Sequence, residues 1–125
     1  MTTDLNIPSV VEEVRMQFDK YERAIVSNDV DALIEFFWHS DIVIRFGDKE
    51  NLYGIDQIAA FRKNRSPVGL ARELLNTVIT TFGYDFATAN TEFTRPSVRG
   101  RQSQTWVKLQ GKWKIVSAHV STIGN

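Results

Sequence analysis

The residues of this chain able to do chemistry fall into a few groups, and each also has a purely structural reading. Tyr21 lies on an apolar stripe of Val11, Val14, Phe18, Tyr21 and Ile25, whose alternating steps of three and four make one face of a helix. Its ring therefore faces the interior, where a phenol hydroxyl needs a partner: a backbone group of the core, or a ligand in a pocket. Arg45 stands between Ile44 and Phe46 in an apolar, β-branched run. A guanidinium does not lose its proton to escape burial, so Arg45 either faces an anion or points to water or to a carboxylate such as Glu50. Strand alternation sets Ile42, Ile44 and Phe46 on one face and Val43 with Arg45 on the other, without saying which face is concave.

Arg62, Lys63, Arg65 and Arg72 form the one locally basic stretch. On a helix Arg62 and Arg65 are neighbours, so they either converge on one anion or make a solvated, cationic helix end. Gln102 and Gln104 share a strand face with Trp106, while Arg101 and Ser103 share the other; one set lines a pocket or a sheet interface. His119 is in phase with Trp113, Ile115, Ser117 and Ser121, and its ring titrates near neutral pH, in an acid–base or a structural role. With His39 it makes a weak metal signal, because zinc and iron sites need three or four convergent ligands. Trp38, at a helix end, packs in the core or walls a pocket. Cysteine is absent, and no glycine-rich phosphate loop or nucleophile elbow is present, so thiol, nucleotide-cofactor and acyl-enzyme chemistry have no support. No cofactor and no metal are expected.

These groups must be positioned by helices that come first and strands that come last. Residues 8–27 predict an amphipathic helix with Pro8 in its first turn, and Asp29 predicts the N-cap of a second helix carrying Val30, Ala32, Leu33, Phe36 and Phe37. Residues 41–46 and 51–54 predict two short strands, and residues 55–65 a third helix ended by Ser66-Pro67. Beyond Pro67 come four extended segments, 72–82, 84–94, 98–109 and 113–122, with turn signals at Gly83, Arg95-Pro96 and Gln110-Gly111. The order predicts an α+β domain in which three N-terminal helices pack on a strongly curved, mostly antiparallel sheet. A sheet of such long strands must twist and curl, which leaves a pocket between its concave face and the helices.

Composition sets the outer limits. A chain of 125 residues, 42% hydrophobic and 24% charged, reads as one globular domain over residues 1–125. Its fifteen basic and fifteen acidic residues cancel, so no overall field draws it to nucleic acid or anionic lipid. There is no basic, apolar leader and no apolar run near the ~20 residues a membrane span requires. The expectation is a cytoplasmic protein without nucleic-acid or membrane partners.

Tyr21 with Asn28-Asp29, the runs 41–45 and 54–62, and the C-terminal strings Gln104-Thr105-Trp106 and Lys112 to Ser121 resemble the nuclear transport factor 2-like superfamily over nearly the whole chain. That superfamily includes ketosteroid isomerases, SnoaL-type polyketide cyclases and the association domain of calmodulin-dependent kinase. Within it, Phe37-Trp38, Arg45-Phe46-Gly47, Phe61-Arg62, Arg65 and the run Gly100 to Trp106 resemble the AtzH-like family, linked to catabolism of cyanuric acid and oxalurate. The resemblance implies a cystatin-like cone that dimerises through its sheet. It implies an amidohydrolase acting on a carboxylated urea or an oxalurate-type anion, decarboxylating in the cyanuric acid branch, with Tyr21 and Arg45 as the important pair. Arg45 would hold the substrate carboxylate in a bidentate fork while Tyr21 donates to the scissile amide. Trp38, Arg62, Arg65, Gln104 and His119 complete the candidate site as substrate-binding residues. Ketosteroid isomerases use a carboxylate base near the position of Arg45, so steroid-type proton abstraction is disfavoured. Two other readings remain: a non-catalytic protein that binds a metabolite and assists a partner amidase, and an oligomerisation module like the kinase association domain.

Overall fold

The computed structural model describes residues 4–123. Helix α1 (Pro8–Ser27) begins with its proline in the first turn and ends where Asn28 turns left-handed, its amide donating to the carbonyls of Ala24 and Ile25. Asp29 then caps α2 (Val30–Phe36) by accepting from the Ala32 amide at 3.3 Å. Two short strands follow, β1 (Ile44–Phe46) and β2 (Asn51–Tyr53), then α3 (Ile55–Asn64). The rest of the chain is a meander of long strands, β3 (Glu73–Phe82), β4 (Phe86–Arg95), β5 (Val98–Leu109) and β6 (Lys112–Ile123).

All six strands form one sheet in the order β2-β1-β6-β5-β4-β3. Every pairing is antiparallel except β1 with β6, which places Arg45 opposite Ala118. The expected α+β architecture and its three helices are therefore observed, with strand ends shifted by a few residues. The largest shift is in β1, expected from residue 41, because the segment before it bends round the start of α3, where Ile55 donates to the Ser40 carbonyl.

The core lies between the helices and the concave face. Val14, Phe18, Leu33, Phe37, Trp106 and Ile115 are each at most 1% exposed there. Removing such side chains from water contributes ~1.5–3 kcal/mol apiece and fixes which face of each element turns inward. One irregularity alters that assignment in β6. Trp106 pairs with Ile115 but Thr105 pairs with Ser117, so Val116 has no opposite number in β5. This bulge inverts the alternation: Trp113 and Ile115 point inward before it, and Ala118 after it. His119 consequently leaves the phase expected from Trp113 and Ile115. It is exposed on the outer face, edge-on to Phe46 at 5.9 Å between ring centroids. No helix among the described residues is long and apolar enough to cross a membrane.

Candidate functional site

Under the helices, a cavity of about 40 Å³ is lined by Arg45, Arg62, Arg65, Arg72 and Arg95, with Gln102 and the apolar walls of Ile25 and Val120. Each arginine arrives by a different route. Arg45 points inward because Val43, two residues earlier, is fully buried on the concave side. Arg62 lies one helical turn after the buried Ile58, and Arg65 lies just past the end of α3. Arg72 precedes β3, and Arg95 ends β4.

Two aromatic rings organise the five guanidiniums into two groups. The carbons of Arg45, Arg62 and Arg65 stand 4.8, 5.7 and 5.8 Å from the centre of the Phe61 ring. Those of Arg72 and Arg95 stand 4.5 and 5.2 Å from the Phe93 ring. Stacking on a ring face partly offsets the mutual repulsion of like charges. Phe93 can lie flat across the sheet because its partner in β5 is Gly100; a Cβ there would come within 2.1 Å of the ring. Gly47 has a similar role in the turn after β1. A Cβ on it would collide with the carboxylate of Glu50, which folds back to accept from Arg45 Nη1 at 2.9 Å.

Among the described residues, two carboxylates answer the five cations. Glu50 pairs with Arg45, and Glu22 on α1 is gripped bidentately by Arg72, which also donates to Gln102 Oε1 at 3.0 Å. Arg62 donates from Nη2 to the Tyr21 hydroxyl at 2.8 Å, a fully buried contact. The Nε of Arg62 and that of Arg95 are buried without a hydrogen-bond partner. Burial of the cation holds Arg62, Arg65 and Arg95 below the ordinary guanidinium value; among like charges, Arg45 and Arg72 add to this for Arg62, Arg62 and Arg72 for Arg65, and Arg72 and Arg65 for Arg95. Guanidiniums stay protonated under such pressure, so the cavity keeps a surplus of positive charge.

Tyr21 is 2% exposed and boxed by the edges of Phe36, Phe37 and Trp106 at 5.6, 6.1 and 6.5 Å. The box fixes its ring, and its oxygen accepts from Arg62, leaving the phenol proton to give. Tyr21 and Arg45 therefore belong to one charged cluster, joined through Arg62. Arg65 stands in the same cluster. Tyr21 itself, Trp38, Gln104 and His119 do not line the cavity; Tyr21 reaches it only through its hydrogen bond from Arg62. Trp38 is half-buried and packs against the core. Gln104 is buried on the inner face, where its Oε1 accepts from Trp106 Nε1 at 3.0 Å and so orients that ring. His119 is on the opposite side of the sheet from the cavity.

Glu22, Arg72, Gln102 and Arg95 take part in the cluster without having been assigned to the site from sequence, although Arg72 stood in the basic stretch. Gln102 had the right signal, since the face it shares with Trp106 is the inner one. Arg95 read as a turn residue beside Pro96, and Glu22 lies off the apolar stripe of α1. Among the described residues no group of three or more His, Asp or Glu is placed to hold a metal ion.

The chain matches the family described as AtzH-like over residues 3–125. It resembles a structure from Pectobacterium atrosepticum, a DUF3225-family protein of unknown function, at 51% identity and a TM-score of 0.94, covering 97% of this chain and 96% of that one. A cystatin-like fold protein from Burkholderia xenovorans is 45% identical, with a TM-score of 0.94 and 98% of each chain covered. A nuclear transport factor 2-like superfamily protein from Salmonella enterica shares the fold at 22% identity, with a TM-score of 0.76 and 94% and 93% covered. No curated protein gives a significant match.

Proposed function

The chain belongs to the AtzH-like family, within the nuclear transport factor 2-like fold, and on that premise we propose that it hydrolyses a C–N bond of a small carboxylated urea or oxalurate-type anion held by its arginine cluster. The observation that carries this reading is the convergence of five guanidiniums on one small cavity that offers them only two carboxylates. Unpaired cations taken out of water destabilise a fold, so their presence is understandable where an anion arrives to match them.

In the proposed reaction Arg45, with Arg62 and Arg65 beside it, grips the substrate carboxylate through charge-assisted hydrogen bonds. Tyr21 gives its proton to the leaving nitrogen. Water adds to the carbonyl carbon, and the C–N bond breaks. The nitrogen departs protonated and the acyl carbon becomes a carboxylate; of the two protons of water, one restores the Tyr21 phenol and the other passes to solvent. The test is turnover of oxalurate and of carboxylated ureas by the native protein and by Tyr21→Phe. Loss of one proton donor should reduce turnover by about a hundredfold or more while affinity stays within about threefold. Equal turnover by the two proteins removes Tyr21 from the mechanism.

A second reading, binding without turnover beside a partner amidase, is favoured by one feature. No histidine lines the cavity, and Glu22 and Glu50 are both engaged by arginines, so neither stands ready as a base. Saturable thermal stabilisation by these acids with no release of ammonia or urea would establish it over hydrolysis. We also propose a homodimer formed through the outer face of the sheet, supported by exposed Val78, Phe82 and Phe86. A monomer mass by light scattering would exclude the dimer.

A further inference from the structure

The division of the cavity into two arginine groups bears on what kind of acid it holds. Three guanidiniums gather on Phe61 and two on Phe93. Each group contains one arginine tied to a carboxylate, Arg45 to Glu50 and Arg72 to Glu22. Each also contains one with a buried Nε lacking a partner, Arg62 in the first and Arg95 in the second. Both halves thus keep an unmatched cation, and a ligand with a single negative charge can satisfy only one of them.

Hydrolysis of a carboxylated amide supplies the second charge. An oxalurate-type substrate with one carboxylate is a monoanion, but its tetrahedral intermediate carries that carboxylate and a new oxyanion, and the product acid carries two carboxylates. A site matched to the dianion is therefore matched to the transition state better than to the substrate, which is the condition for accelerating the reaction.

We propose that the Phe61 group binds the substrate's carboxylate and that Arg72 and Arg95, stacked on Phe93, bind the oxyanion that forms at the scissile carbonyl. This assignment rests on the reading of the cavity as an acid-binding hydrolytic site. Room for about three water molecules, at ~10–15 Å³ of free volume each, limits the charged part of the ligand to a few heavy atoms. Arg95 then acts on the reacting oxygen itself, while Gly100 and Phe93 position it.

Calorimetric titration of the native protein at fixed ionic strength with oxalate, malonate, oxamate and neutral oxamide tests the proposal. The dicarboxylates should bind about tenfold tighter than oxamate or better, the gain expected of one further charge-assisted hydrogen-bonded pair. Oxamide should not bind. In Arg95→Gln the preference should shrink to within about threefold while oxamate affinity is retained, because the Phe61 group is untouched. Arg95→Lys, which keeps the charge but not the fork, should fall between the two. Equal affinity for oxamate and oxalate in the native protein overturns the proposal but leaves the acid-binding site standing. Full preference surviving in Arg95→Gln overturns it also. Absence of binding by all three acids sinks the underlying reading instead.

Discussion

Two hollows of this molecule differ in size and charge in opposite directions. The larger, about 790 Å³, is an open groove between α1, α2 and the turn joining β5 to β6, with Met16, Phe36 and Trp113 among its lining residues. Charges line it, yet they are matched across it. Glu13 accepts from Lys108 and from Trp113 Nε1 at 2.9 and 3.0 Å, and Glu35 accepts from Lys114 at 2.9 Å. The smaller, about 40 Å³, gathers five arginines against two carboxylates. Volume alone would select the groove. Uncompensated buried charge selects the cavity, and charge is the better guide because it is what a fold does not keep without a use.

Substitutions should separate the two regions by their effects on acid binding and by what removing a charge does to stability. The largest is expected for Gly100→Ala, whose methyl must displace Phe93 and with it the seat of Arg72 and Arg95. Overpacking of this kind costs about 1–3 kcal/mol, and chemical denaturation should show it together with loss of oxalate binding. Wild-type binding by this variant would break the link between the Phe93 platform and the site. Next in size, Arg95→Met should weaken oxalate binding by about tenfold or more yet raise the melting temperature of the ligand-free protein, since it removes a cation surrounded by like charges. A fall in melting temperature would show that the cluster is a stabilising network.

In the groove the opposite is expected. Glu13→Ala strips partners from Lys108 and the Trp113 indole, so stability should fall by roughly 1 kcal/mol or less, with acid affinity unchanged. The smallest effect is a pH dependence. Hydrogen bonds from Trp113 and Lys108 hold Glu13 below its ordinary value of 4.5, and those from Lys114 do the same for Glu35. A carboxyl depressed in the folded state contributes stability above its unfolded value and loses it as pH falls through the folded one. Melting should therefore soften below about pH 4.5, slightly, because both groups face solvent, and the softening should shrink in Glu13→Ala.

Most of the architecture was legible because its periodicities are strong. The stripe through Val14, Phe18 and Tyr21, the cap at Asp29 and the turn signals at Gly83 and Gln110-Gly111 lie where local physics puts them. Half of the site was legible as well, since Arg62 and Arg65 are neighbours on or beside one helix and Arg45 stands in an apolar strand that leaves it nowhere neutral to go. What local pattern does not contain is the meeting of Glu22, Arg72, Gln102 and Arg95, which come from three elements and the segment before β3 and are brought together only by the curl of the sheet. His119 shows a second limit. Parity along β6 predicts its face correctly only for an unbroken ladder, and one unmatched residue, Val116, inverts it.

The parallel pairing of β1 with β6 ties the order of synthesis to the moment at which the protein can first act. Arg45 leaves the ribosome well before β6, the strand that anchors it. Until that strand docks, the guanidiniums remain hydrated and apart, and the late, long-range closure should make this step slow relative to formation of the α1–α2 hairpin. A chain that has not yet docked β6 therefore lacks an assembled arginine cluster, and a small acid present during refolding should speed or trap only that docking.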